Sequence, residues 1–221
     1  MFAHDTKRRR FLRASISAAA LTAFSPALLH ATQKIPITPR QSEGPYYPTD
    51  LPLDKNNDLV TVDGRSEKAR GVIVDVVGRI LDERGRPVAG AHIEIWQCDA
   101  FGRYHHPRDP RVNIPRDANF QGYGQYVTGV NGSYRFRTIK PVPYPGRAPH
   151  IHFMIGGSNF EPLTTQMYVA GAPENKRDFL LNSLSRKARQ SLMVAFEPVV
   201  SNGIQAVGRF DIVLAADGRF G

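Results

Sequence analysis

The chain's 221 residues are enough for one well-packed core and short for two, and a composition of 41% hydrophobic and 22% charged residues is that of an ordinary globular protein. The formal net charge is +9, but residues 1–31 hold five basic side chains and one acid, so the remainder stands at +5. Its arginines are scattered rather than clustered among aromatics, which argues against a nucleic-acid surface and leaves only a mild pull on anionic aromatic acids.

Residues 1–31 read as an export signal. Lys7-Arg8-Arg9-Arg10-Phe11-Leu12-Arg13 is a basic cluster ending in Phe-Leu, and Ala14 to Leu29 are mostly apolar. The run is short for a membrane span, and adjacent arginines before Phe-Leu resemble a twin-arginine signal. The expected destination is the periplasm, with the cleavage point open between Ala27 and Ala31. No cysteine follows the apolar run, so nothing suggests a lipoprotein. The lone Cys98 cannot close an internal disulfide, so an exported protein of this kind must rest on its core or on a metal.

Residues 32–70 are rich in Pro, Asn, Asp and Gly without a sustained period and read as an extended N-terminal arm. Residues 71–221 read as one all-β domain, an antiparallel β-sandwich with one helix. Val72 to Leu81 is β-branched and strand-like, and Asp82 to Pro87 supplies a turn. Ala91 to Trp96 alternates as a second strand. Val130-Asn131-Gly132-Ser133 predicts a hairpin leading into Tyr134 to Arg137. Tyr123 and Tyr126 fall in a Gly-rich stretch read as loop. Pro149 to Ile155, Leu163 to Val169 and Gly208 to Ala215 read as further strands. Phe179, Leu180, Leu184 and Leu192 predict a helix over residues 174–192.

The richest stretch is Pro141-Val142-Pro143-Tyr144-Pro145-Gly146-Arg147-Ala148-Pro149-His150-Ile151-His152-Phe153. On a strand, side chains two residues apart leave the same face, so His150 and His152 can reach one metal ion. Tyr144 sits between prolines in a stiff loop. Upstream lies a second cluster, Asp99-Ala100-Phe101-Gly102-Arg103-Tyr104-His105-His106. His105, His106, Tyr46 and Tyr47 are weaker candidates for substrate contact. His92 reads as packed or on the surface, and Trp96 as core.

These two clusters carry a resemblance. Trp96 to Tyr104, Tyr134 to Pro141, Tyr144-Pro145 and Pro149 to Phe153 resemble the intradiol ring-cleavage dioxygenases, and among them the iron-bearing beta subunit of protocatechuate 3,4-dioxygenase. The resemblance runs from about Gly71 to Val169, and Gly44-Pro45-Tyr46-Tyr47 is similar to the family's amino-terminal arm. It implies a prealbumin-like sandwich core and a non-haem Fe(III) cofactor. Tyr144 and His150 would be its axial ligands, Tyr104 and His152 its equatorial ones, with a solvent hydroxide. Arg147 would stabilise negative charge developing on the ring and Gln166 would orient substrate or oxygen. The implied reaction cleaves a catechol with O2 between its two hydroxylated carbons to a cis,cis-muconate-type diacid. Two phenolates are hard anionic donors that favour trivalent iron, whereas zinc rarely takes two tyrosines. Family members pair with a homologous subunit or form homo-oligomers, and both arrangements stay open.

Two features depart from the family pattern. Only five residues separate Tyr144 from His150, and Gly146 stands where a bulky aromatic is common. Both predict a more open pocket. A different class of function also fits part of the chain: the segment from Val72 to Trp96, with Gly85 to Ala91, resembles metal-free transthyretin-like binding modules. The discriminating feature is the set Tyr104, Tyr144, His150 and His152, which a binding module has no use for.

Overall fold

A computed structural model describes residues 34–215 except 52, 53, 159 and 202. The export-signal segment lies outside the described residues. Two five-stranded sheets face each other. The first is built on β1 (Ile73–Asp82), which pairs antiparallel with β4 (Ser133–Ile139) on one side. On its other side β1 pairs in parallel with β9 (Ile204–Arg209) and then with β10 (Ile212–Leu214), and β8 (Phe196–Ser201) closes the edge beside β9. The second sheet runs β3 (Tyr123–Val127), β2 (His92–Trp96), β5 (His150–Gly156), β6 (Leu163–Val169) and β7 (Met193–Val194). The sandwich is therefore as expected, but the pairings of β1 with β9 and β10 and of β6 with β7 are parallel.

The core between the sheets follows the two-residue period of the strands. Ile93 and Ile95 of β2 and Ile151, Phe153 and Ile155 of β5 are fully buried in it, with Val76, Ile80 and Phe136 from the first sheet. The residues between them, Trp96 and His150 and His152, point to the outer face of the second sheet, and that face is buried too. A second apolar cluster of Trp96, Cys98, Tyr104 and Tyr123 covers it, joined by Tyr46, Tyr47, Val142 and Tyr144. The functional residues thus lie between the outer sheet face and a cover of arm and loops.

The arm is part of that cover. Residues 34–72 contain no strand or helix among those described, only a bridge from Asp58 to Arg137. Even so, Leu59 and Val60 are fully buried in the main core. Backbone bonds from Thr38 N–H to the Val213 carbonyl and from Gln41 N–H to the Thr164 carbonyl tie the arm to both sheets.

Three expectations fail for physical reasons. The Asn131-Gly132 turn forms, with Gly132 at φ 68°, but it does not close a hairpin. β3 pairs with β2 and β4 pairs with β1, so the turn carries the chain from one sheet to the other. Tyr123 and Tyr126 belong to β3, not to a loop; Tyr123 lies opposite Trp96. The segment 174–192 is not one helix. It is a 3-10 turn at Pro173–Lys176, α1 (Phe179–Asn182) and α2 (Arg186–Ser191). Asp178 and Ser185 cap the two helices by accepting the N–H of Leu181 and Ala188, and such caps interrupt a continuous helix. Leu192 is buried and Leu184 packs against the core as expected, but Phe179 is 66% exposed and Leu181 takes the buried place.

Candidate metal centre

Two imidazoles meet first. His150 and His152 leave the same face of β5, and their Nε2 atoms stand 3.1 Å apart. Nδ1 of His150 lies 2.6 Å from the Ala148 carbonyl, which can only accept, so the proton sits on Nδ1 and Nε2 presents a lone pair. Nδ1 of His152 faces the Ser42 backbone but makes no well-formed hydrogen bond among the described residues. Burial, reinforced by the Arg147 cation, holds His150 at a pKa of about 3. Burial, His150 and Arg147 push His152 well below the usual imidazole range. Both rings are neutral at ordinary pH, as metal binding requires.

Two phenols complete the group. The Tyr104 hydroxyl is 3.5 Å from His150 Nε2. The Tyr144 ring lies 5.5 Å from the His150 ring and 5.6 Å, edge-on, from the Tyr104 ring. Burial drives the Tyr104 phenol well above its usual range, and burial raises Tyr144 against the opposing pull of Arg147. Buried phenols of this kind ionise only beside a strong cation. Two imidazole nitrogens with lone pairs and two phenols in one place fit a metal ion. Three or more His, Cys, Asp or Glu side chains converge nowhere among the described residues, so the donor set depends on its tyrosines.

Each donor is held from behind. Trp96 lies across from His152 in register and stacks on its ring at 4.8 Å with planes 8° apart. Stacked pairs of this kind contribute about 0.5–1.5 kcal/mol. Tyr46 of the arm stacks on Tyr104 at 4.8 Å, and the Tyr47 hydroxyl donates to Glu94 at 2.7 Å. Gly44, at φ 74°, brings the arm so close that a Cβ there would sit 3.4 Å from His152 Cε1. Asp109 accepts the Tyr104 backbone N–H at 2.8 Å and pairs with Arg111, whose guanidinium lies 4.8 Å over the Tyr144 ring. One ion pair thus braces both phenols.

Arg147 and Gln166 meet beside this group. Gln166 lies opposite His152 and Tyr168 opposite His150 on β6. Arg147 Nη1 is 3.5 Å from the Tyr144 hydroxyl, and Nη2 donates to Gln166 Oε1 and, at 3.2 Å, to the Tyr168 hydroxyl. Gln166 Nε2 donates to the Ser42 carbonyl at 2.7 Å. His105 and His106 do not join the donors. They line a cleft of about 580 Å³ beside Tyr104, with Trp96, Arg103 and Gln121, and not one over His150 and His152. His92 lies on the exposed end of β2.

A model of the Dioxygenase family matches residues 42–216. The protocatechuate 3,4-dioxygenase beta chain of Burkholderia cepacia is 40% identical over 172 residues, which cover 74% of this chain and 72% of that one. The chain belongs to the intradiol ring-cleavage dioxygenase family. A hydroxyquinol 1,2-dioxygenase of Rhizobium sp. (strain MTP-10005) is 30% identical over 174 residues; the match covers 71% of this chain and 54% of that enzyme, about half its length. The dioxygenase domain of a dioxygenase–carbohydrate-binding protein fusion from Streptomyces sp. SirexAA-E superposes with a TM-score of 0.63 at 32% identity, over 82% of this chain and 100% of that domain. The family's reaction is oxidative cleavage of a catechol ring. Relatives that differ in substrate match this chain, so membership does not select protocatechuate.

Sequence reading missed four residues around this dioxygenase site: Asp178, Tyr168, Arg111 and Asp109. Tyr168 had a signal, since it follows Gln166 by two on the same strand. The other three lie in loops or at a helix cap, where no period marks them.

Proposed function

We propose that this chain is a non-haem ferric intradiol dioxygenase that cleaves a substituted catechol with O2 between its two hydroxylated carbons. The observation that carries the reading is the convergence of buried His150 Nε2, His152 Nε2 and Tyr104 with the half-buried Tyr144. Two neutral imidazoles and two phenols, ionised once a cation is present, make a set that suits trivalent iron over zinc. When bound, the iron would supply a Lewis acid to the catechol and open its ring to dioxygen.

The chain's own residues do the rest. His150, with its tautomer fixed by Ala148, and His152, clamped under Trp96, hold the metal from the strand side. Tyr144 lies in a loop closed by the Arg147 N–H to Tyr144 carbonyl bond. Its phenol would help to hold the iron and would supply a built-in general base for one catechol proton. Arg147 presents a fixed cation where negative charge develops on the ring. Gln166, held between Arg147 and Ser42, orients what enters from the β6 side.

Substrate breadth follows from the loop. A Cβ at Gly146 would meet nothing within 4 Å, which supports an open rim at the short Tyr144–His150 connection. The reading favours several substituted catechols rather than protocatechuate alone. We further propose that residues 1–31 direct export by a twin-arginine route. The support is Arg8-Arg9-Arg10-Phe11-Leu12 and the apolar run behind it.

The test is oxygen uptake by iron-loaded protein across a panel of substituted catechols, with product identification. The expected results are a red-brown colour from phenolate-to-iron charge transfer and ring-opened diacids cut between the hydroxylated carbons. A colourless protein that holds no supplied iron, or products cut beside the diol, would end this reading. Turnover of unsubstituted catechol alone would end the open-rim part. Cell fractionation of an Arg8→Lys/Arg9→Lys variant tests export, which the pair of changes should abolish.

A further inference from the structure

Asp178 is buried to 1% exposure, and nothing in the ligand set or in the sequence motifs assigns it a task. Its two oxygens accept three N–H groups from two parts of the chain, the Arg147-Ala148 segment and the start of α1. Oδ2 takes Arg147 Nε at 2.9 Å and the Ala148 backbone N–H at 2.8 Å, and Oδ1 takes the Leu181 N–H at 3.0 Å as the cap of α1. Arg147 is itself only 9% exposed, and Asp178 is the one carboxylate paired with it among the described residues.

A count of donors shows what this does. A guanidinium has five N–H bonds in a fixed plane. The Nε bond goes to Asp178, and the two on Nη2 go to Gln166 and Tyr168. On Nη1 one bond lies toward the Tyr144 hydroxyl at 3.5 Å, and the other has no protein partner among the described residues. Asp178 and β6 hold one edge of the plane, so the opposite corner is left to face the donor group. Electrostatics points the same way. A buried cation beside the site of another cation is repelled unless a counter-charge holds it.

We propose that Asp178 is the positioning residue of Arg147: it fixes the guanidinium so that Nη1 alone is free to meet negative charge on the reacting ring. The inference rests on the dioxygenase reading above for its catalytic consequence, but not for the lock itself. Asp178 also links the lock to α1, so the segment after β6 helps to shape the site.

Two variants of the full chain separate positioning from folding. Asp178→Asn keeps the shape and removes the charge. Asp178→Ser keeps a helix-capping hydroxyl and removes the partner of Arg147. Ser185→Ala, which uncaps α2 away from the site, is the control for simple loss of stability. The metal-independent readout is the arginine Nε–H region of a ¹H–¹⁵N spectrum. Wild type and Ser185→Ala should show a slowly exchanging Nε–H that disappears in Arg147→Gln and in Asp178→Ser, while Asp178→Asn, whose Oδ1 still accepts, should only speed its exchange. With iron loaded, both Asp178 variants should lose about 100-fold in kcat per bound iron, with KM changed less than threefold and the visible colour retained, because a fixed donor to developing charge acts in the transition state. Ser185→Ala should keep kcat per iron while its thermal midpoint falls.

An unchanged Arg147 Nε–H signal in Asp178→Ser would overturn the lock. Loss of the signal with kcat per iron within threefold of wild type would overturn its catalytic role. If wild type shows no colour and no oxygen uptake, the ferric reading and the catalytic role fall together, while the Nε–H signals still decide whether Asp178 holds the guanidinium.

Discussion

The two flanks of the donor group are built in opposite ways. On the Arg147 side, Asp178, Gln166, Tyr168 and Ser42 form a closed network in which nearly every donor has an acceptor. On the Tyr104 side, five of the seven buried side-chain polar atoms without a hydrogen-bond partner among the described residues belong to residues lining one cleft. They are Trp96 Nε1, Arg103 Nε, His105 Nε2, His106 Nε2 and Gln121 Oε1. A satisfied buried network is rigid and costly to break; a partly satisfied one has little left to lose. On the dioxygenase reading proposed above, the difference would put the preorganised chemistry on the β6 side and leave the cleft beyond Tyr104 to packing and solvent.

The largest effect should come from the shared centre. His150→Ala removes a lone pair whose tautomer is already fixed, and should abolish both iron retention and colour, as read by metal analysis and visible absorption. Tyr104→Phe should keep some iron but shift the charge-transfer band. If both variants stay as coloured as wild type, the donors named here are not the ligands.

On the closed flank, Arg147→Gln should lower kcat by about 100-fold. It also leaves the Asp178 carboxylate buried without its cation, which costs about 3 kcal/mol when a buried pair loses one member. Denaturant unfolding and steady-state oxygen uptake measure the two separately. An Arg147→Gln protein as stable as wild type would mean that this flank is not rigid, and the contrast would weaken.

How much of this contrast was legible in the sequence depends on what carries each residue. His150 and His152 were legible because a strand's two-residue period needs no other information. The two sheets were legible in the β-branched runs of β1 and the alternation of β2. Tyr104 entered only through the family resemblance, since nothing local ties a tyrosine after Gly-Arg to a strand 46 residues later. Asp178 was hidden because the 174–192 segment looks helical until its caps are recognised. The sheet switch at Gly132 was hidden because a turn sequence specifies the bend but not the strands that pair on either side. Both misses are long-range facts written in short-range signals.

Titration gives a smaller effect that separates centre from flank. His150 is depressed to about 3 in the folded chain, against an ordinary value near 6.5 when unfolded. The unfolded chain therefore binds the proton first, and metal-free protein should lose stability as pH falls from about 6.5 toward 3. His152, also depressed, adds to the same window. Burial alone would raise Asp178, but the Leu181 and Ala148 N–H groups and Arg147 outweigh it and hold the carboxyl below its ordinary value. Its contribution is present above the unfolded carboxylate pKa and is lost only as pH drops below that. His150→Gln should flatten the upper part of the acid limb and Asp178→Asn the lower part, as seen in urea midpoints from pH 7 to pH 3.

The smallest effect is expected on the open flank. His106 is 4% exposed, and its Nδ1 accepts the Arg108 backbone N–H at 3.0 Å, so Nε2 carries the proton and has no acceptor among the described residues. Asparagine can offer its Oδ1 to the same N–H, and its amide N–H groups replace the unpartnered Nε2–H, so the change costs mainly the packing of the ring against the cleft. His106→Asn should therefore change unfolding free energy by less than about 1 kcal/mol and leave kcat within twofold. The outcome is informative because the cleft touches Tyr104 directly. A tenfold fall in kcat with unchanged stability would place His106 in contact with the reacting molecule. The cleft would then be part of the catalytic site, and the division between a rigid flank and a passive one would no longer hold.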